Sequence, residues 1–221
     1  LKVKKLLLVL SSAIYPVKAQ MPFKEIDLHF GEPHESAYGY SFAKRLLHPA
    51  IRAYREEFNL NVIGAIPNGI FGEDDNFSED APMLPSLIRR FYENRDTTDQ
   101  LLVWGDGSPL REYTYSEDVA RSFIWLIENY ENSLPLNTGS TEEISIKQIS
   151  HMICDEIGID KSRIFFDITK PKGIHRKPTN NNKFIEISNF KYLPFYDGLK
   201  KTINWFNNTY QKNKDAIKLS K

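Results

Sequence analysis

Tyr40 and Lys44 stand four residues apart in Gly39-Tyr40-Ser41-Phe42-Ala43-Lys44, at the start of a stretch with helical patterning. Ser11 lies upstream, at the end of an apolar run. Four residues make about one helical turn, so a phenol and an ammonium at this spacing share a face. A cation beside a phenol favours the phenolate and brings it toward the working range of a general acid or base. A serine hydroxyl nearby can orient a carbonyl. Together the three groups suit proton transfer coupled to hydride transfer. A solvated Tyr and Lys on an amphipathic helix would have the same spacing, so this motif alone is a weak signal.

The elements that must position these groups are legible in the pattern. Val3 to Ser11 reads as a buried parallel strand, a continuous apolar run bounded by polar residues. Ala13 to Ser36, with Pro16, Pro22, Gly31 and Pro33, reads as a loop. Tyr38 to Phe58 reads as one long helix, and Leu60 to Ile66 as a second buried strand stopped by Pro67-Asn68-Gly69. This is a βαβ rhythm, which predicts an α/β fold with a parallel sheet. Helices are expected over Met83 to Tyr92, from Ser116 as N-cap to about Tyr130, over Ser145 to Ile157, and from Asp197 to about Tyr210. Strands are expected over Leu101 to Trp104, Arg111 to Tyr115, Leu134 to Thr138 and Arg163 to Ile168, with Lys170 to Lys183 irregular.

Composition narrows the function classes. The 221 residues suit one large domain or two small ones, and 41% hydrophobic content is enough for a real core. Lys plus Arg equals Asp plus Glu at 29 each, so bulk charge does not favour nucleic acid, and an anionic ligand needs local cations. Leu6 to Leu10 is too short to span a membrane. Cys154, the one cysteine, falls on an apolar helical face and reads as a buried structural thiol; low cysteine use fits a cytoplasmic setting. The Asn76-Phe77-Ser78 and Asn207-Asn208-Thr209 sequons read as accidental.

Several stretches, taken in order, resemble a known family: Leu10-Ser11-Ser12-Ala13-Ile14-Tyr15-Pro16, the Tyr40 segment, Phe71-Gly72-x-x-Asp75-Asn76-Phe77, Leu84-Pro85-Ser86-Leu87-Ile88-Arg89-Arg90, Val103-Trp104-Gly105-Asp106-Gly107 through Glu112, and Thr169-Lys170-Pro171-Lys172-Gly173. They resemble the extended short-chain dehydrogenase/reductases, and within them the GDP-L-fucose synthases. The resemblance covers nearly the whole chain. It implies a Rossmann-like parallel sheet plus a smaller α/β substrate-binding domain, with residues 1–68 and 134–140 in the first and 69–133 and 141–221 in the second. It implies NADP as cofactor, a GDP-sugar substrate and a homodimer, with the faces around Leu47, Ile51 and Tyr54 as candidate dimer contacts, equally readable as packing on the sheet. Family members open with a glycine-rich turn that lays the cofactor pyrophosphate on a helix N-terminus. No such turn precedes Ser11 here, and the start at Leu1 suggests that about three βα units, roughly 90 residues, are missing.

By resemblance, Tyr40 would protonate a C4 keto oxygen, Lys44 would hold the nicotinamide ribose and Ser11 would bond the keto oxygen. Pro67 and Ile70 would flank the nicotinamide, with Pro67 equally readable as a strand terminator. Arg90 and Arg111 would meet the nucleotide or its phosphates, Trp104 would line the substrate pocket, and Arg176 and Lys177 lie in the segment that closes over it. Arg89 has no matched role and reads as a solvated charge. No metal is implied. The family's epimerisation uses a cysteine and a histidine at the positions held here by Ala13 and Pro82. The resemblance therefore implies reduction of a GDP-4-keto-6-deoxy-hexose with C3/C5 epimerisation in doubt. Two alternatives stay open: a bifunctional enzyme with displaced acid and base groups such as His34, or a non-catalytic binding or oligomerisation module. Gly69 is a further departure, standing where relatives carry an asparagine, one place after Asn68.

Overall fold

The computed structural model describes residues 3–219. The outermost residues of the two expected domains, 1–2 and 220–221, lie outside the described residues. In chain order the elements are β1 (Leu6–Val9), α1 (Tyr38–Arg45), α2 (Leu47–Phe58), β2 (Val62–Pro67), β3 (Gly69–Phe71), α3 (Met83–Glu93), β4 (Leu101–Trp104), β5 (Leu110–Tyr115), α4 (Ser116–Asn129), β6 (Leu136–Thr138), β7 (Glu143–Ser145), α5 (Ile146–Ile157), β8 (Ile164–Asp167), α6 (Asn182–Ser188) and α7 (Phe195–Lys212).

The chain divides into two compact units. The first comprises Leu1–Ile70, Glu112–Thr141 and Lys177–Tyr192, and the second Phe71–Arg111, Glu142–Arg176 and Leu193–Lys221. In the first, β2 pairs in parallel with β1 on one side and β6 on the other. Every residue of β2 is buried. Because side chains alternate across a strand, Val62 and Ile66 enter a core with Leu10, Ile14, Phe23, Leu28 and Ile51. Ile63 and Ala65 enter a second core with Leu126, Leu136 and Phe184. The sheet is thus covered on both faces, as a parallel sheet requires. The first unit is larger than residues 1–68 and 134–140, because α4 and α6 supply the second of those cores.

The long helix expected over Tyr38 to Phe58 breaks at Leu46. Pro49 explains the break: it has no N–H, and its ring crowds the carbonyl four residues back, at Arg45. Asn59, at φ 51°, then ends α2 in the left-handed region. The helix after β5 starts as expected, but its N-cap is Tyr115 and no side chain caps it, so Ser116 is the first helical residue. Ser145 is itself an N-cap, in a capping box with Gln148. The short helix α6 lies at the end of the stretch read as irregular, anchored by Phe184, which is fully buried.

In the second unit β4 and β8 run parallel, from Leu101 opposite Ile164 to Trp104 opposite Asp167. Its interior is built from Leu84, Leu87, Ile88 and Phe91 of α3, Ile149 and Ile153 of α5, and Leu199, Ile203 and Phe206 of α7. Cys154 is buried there, and burial pushes its thiol up to about 11, as suits an inert structural thiol. Arg89 is not a solvated charge: it pairs with Glu93 and donates to the Phe77 and Leu219 carbonyls, tying α3 to the C-terminal segment. Among the described residues no helix is long and apolar enough to cross a membrane.

Gly64 shows how tightly β2 is enclosed. A Cβ there would come within 2.7 Å of both Ile51 Cδ1 and Pro135 Cβ. Gly64→Ala is expected to cost about 1–3 kcal/mol, read as a lower urea midpoint with unchanged slope.

Candidate active site

Ser11 follows β1 and caps a short 3-10 turn, Ser12–Ile14, its Oγ accepting the Ala13 N–H at 3.2 Å. One lone pair is thereby occupied while the hydroxyl proton stays available for donation. Three side chains of α1 reach the same stretch of backbone. Ser41 Oγ donates to the Ala13 carbonyl at 2.9 Å, and Lys44 Nζ to the Val9 carbonyl at 3.0 Å. Arg45 donates through Nε and Nη2 to the Ile14 carbonyl and through Nη1 to that of Gly31. The carbonyls two residues before and two residues after Ser11 are therefore both held by the helix that carries Tyr40. The Tyr40 side chain is not packed away; the residue is 54% exposed.

Because β1, β2 and β6 are parallel, their C-terminal ends share one edge of the sheet, the edge where α/β proteins bind ligands. Ser11, Pro67 and Thr138 stand at or just beyond those ends. Pro67 sits opposite Thr138, ending β2, and the Thr138 hydroxyl is buried with no hydrogen-bond partner. Ile70 is 46% exposed. Asn68 points into a closed network instead: its Nδ2 donates to Glu112 and to the Ser140 carbonyl, and its Oδ1 accepts from Thr114. Both Nδ2 hydrogens of Asn68 are thereby used within the first unit. There is no room at 69: a Cβ on Gly69 would meet the Glu112 carbonyl oxygen at 2.7 Å and the Tyr113 ring at 2.9 Å.

The histidines find ordinary roles. His34 caps the turn before α1 through the Ser36 N–H, and His48 shares a 2.9 Å hydrogen bond with His29. Of the expected dimer-face residues, Ile51 is in the core and Leu47 packs against it, because they lie on the sheet side of α2. Tyr54 is exposed, as are Phe42, Leu46 and Phe58.

Three of the four expected substrate contacts gather in the second unit. Arg90, Trp104 and Arg111 line one groove of about 530 Å³ together with Met83, Leu87, Lys172 and Gly173, within the size range of small-molecule sites. Strand alternation buries Leu101 and Val103 and turns Trp104 outward, 58% exposed. Arg90 donates to the Leu102 carbonyl, its Nε is buried without a partner, and burial lowers its pKa. Arg111 donates to the Leu110 and Ile174 carbonyls. The Gly105-Asp106-Gly107 turn directly follows Trp104. Gly105 and Gly107 have φ of +78° and +74°, and a Cβ on Gly107 would strike the Phe166 ring at 2.5 Å. Asp106 pairs with Lys172 at 2.6 Å, and bonds from Lys172 and Ser108 hold its carboxyl well below the usual range. Arg176 pairs with Glu143, and Lys177, half-buried, belongs to the first unit. Sequence reasoning passed over Ser41 and Arg45, whose partners are backbone carbonyls and leave no trace in a motif.

The chain belongs to the NAD dependent epimerase/dehydratase family, whose model matches residues 1–139. It is 34% identical over 206 residues to a GDP-L-fucose synthase of Dictyostelium discoideum, covering 91% of this chain and 64% of that protein. To the GDP-L-fucose synthase of Escherichia coli (strain K12) it is 29% identical over 215 residues, covering 92% and 67%. Its fold matches the crystal structure of a GDP-L-fucose synthetase from Naegleria fowleri bound to NADP with a TM-score of 0.89 and 34% identity, covering 95% of this chain and 65% of that one. The chain thus spans just under two thirds of the length of the Dictyostelium and Naegleria proteins.

Gly69→Asn is expected to destabilise the protein by about 1–3 kcal/mol through overpacking and to restore no function; thermal unfolding and a turnover assay check both.

Proposed function

We propose that the protein containing this chain is an NADPH-dependent reductase of the short-chain dehydrogenase/reductase type. Its substrate is a GDP-4-keto-6-deoxy-hexose, reduced at C4 without C3/C5 epimerisation. The observation that carries the reading is the pair of bonds from Ser41 and Lys44 to the carbonyls flanking Ser11, which supports one wall shared by Ser11, Tyr40 and Lys44.

Ser11 donates its hydroxyl proton to the C4 keto oxygen and orients it. Tyr40 transfers its phenolic proton to the same oxygen as negative charge develops there. Lys44 uses one N–H on Val9 and has two more for a ribose hydroxyl. The strand-end edge with Pro67, Ile70 and the unpartnered Thr138 hydroxyl fits the nicotinamide end of NADP, which when bound supplies the hydride. Trp104 offers a flat face to the guanine, and Arg90 and Arg111 suit diphosphate oxygens; Lys177 is a further cation available to the substrate. Ala13 and Pro82 offer no group that moves a proton, which argues against epimerisation. The exposed apolar side chains of α1 and α2 suit a second copy of the chain, hence a homodimer, and the reduced buried thiol suits the cytoplasm.

The test is turnover of the intact protein in deuterated water with NADPH and a GDP-4-keto-6-deoxy sugar. Reduced product without deuterium at C3 or C5 is expected. Deuterium at either carbon would favour the bifunctional alternative, and GDP binding without turnover a binding module. Tyr40→Phe should lower kcat by about 10²–10⁴-fold with little effect on GDP binding. Trp104→Ala should weaken GDP binding by roughly tenfold or more, stacking on a base being worth about 1–3 kcal/mol, measured by calorimetry.

A further inference from the structure

Arg45 is only 6% exposed, and none of the described carboxylates pairs with it. Two of its N–H groups converge on the Ile14 carbonyl and a third takes the Gly31 carbonyl, while its guanidinium lies 5.1 Å from the Phe42 ring centroid. A buried cation without a counter-ion is costly, and an apolar side chain of similar volume would serve packing as well or better. What an apolar side chain cannot do is fix two carbonyls 17 residues apart in sequence with one planar fork. Ser41, one turn before Arg45 on the same face, fixes the Ala13 carbonyl beside them. The Ala13 N–H is in turn the group that orients the Ser11 hydroxyl.

We propose that Arg45, assisted by Ser41, is a positioning residue for the reduction inferred above: it clamps the turn after Ser11 onto α1, so that the Ser11 hydroxyl keeps its place relative to Tyr40. The inference rests on that reading. Its chemistry predicts a defect in kcat and not in binding, because a displacement of about 1 Å in a reacting group can cost 10²-fold while Lys44 and the nucleotide groove stay as they were.

The experiment compares Arg45→Met, Arg45→Lys and Ser41→Ala with the wild-type intact protein in steady-state kinetics and in amide hydrogen exchange of residues 12–15. Arg45→Met should lower kcat by about 10²-fold with KM for both substrates changed less than about threefold. Exchange at residues 12–15 should quicken while β2 stays protected. Arg45→Lys should recover part of the loss, since an ammonium reaches one carbonyl but not two. If Arg45→Met does not fold, the other two variants decide. Wild-type kcat in the folded variants, or a loss that follows only the folded fraction, overturns the inference. No turnover in the wild-type protein defeats the proposed function itself, whereas normal turnover in the variants defeats only the clamp.

Discussion

Backbone carbonyls that leave a buried strand must find donors, and this constraint organises the first unit. The Leu10 N–H still bonds the Ala65 carbonyl of β2, and beyond it the chain leaves the sheet and its ladder partners. Helix α1 supplies replacements from Ser41, Lys44 and Arg45, which bond the carbonyls of Ala13, Val9 and Ile14. An unpaired buried carbonyl costs about as much as a lost hydrogen bond, so the helix and the turn must sit together. The same bonds that satisfy the backbone bring the segment carrying Ser11 against the helix carrying Tyr40. Structural necessity and the proposed chemistry share one set of contacts.

The long segment between β1 and α1 follows the same logic. It reads as a loop, yet it is pinned throughout. Glu25 is buried and accepts the Asn137 N–H, Tyr15 donates to the Asn137 side chain, and Phe23 bonds the backbone of Pro178 and Asn180. In the second unit a different device operates, two glycines in the left-handed region that let the Asp106 turn close against Phe166 and Lys172.

Much of this was legible in the amino-acid order. Alternation and apolar runs located β1, β2, β4 and the helices α3, α5 and α7 to within a few residues, because burial selects side chains directly. Trp104 was named only through the family resemblance, and its outward face came with the structure of β4. Less legible were features set by partners remote in the chain. Proline at 49 announced a break that the apolar spacing of α1 and α2 masked. Ile51 and Leu47 gave no hint of which side of the helix would meet the sheet. Arg45 and Ser41 look like ordinary helical polar residues until the carbonyls of the turn come within reach.

The sequence by itself determined the α/β class, the parallel strands, the Tyr-x-x-x-Lys turn of helix and the family, since each depends on local periodicity or on residues in fixed order. Only the tertiary structure decided that α4 and α6 cover the sheet, that Asn68 is held in a closed network, that no side chain fits at 69, and that Arg90, Trp104 and Arg111 share a groove. Those outcomes depend on which backbone groups and which surfaces meet after folding, and contacts between residues far apart in the chain carry no local signature.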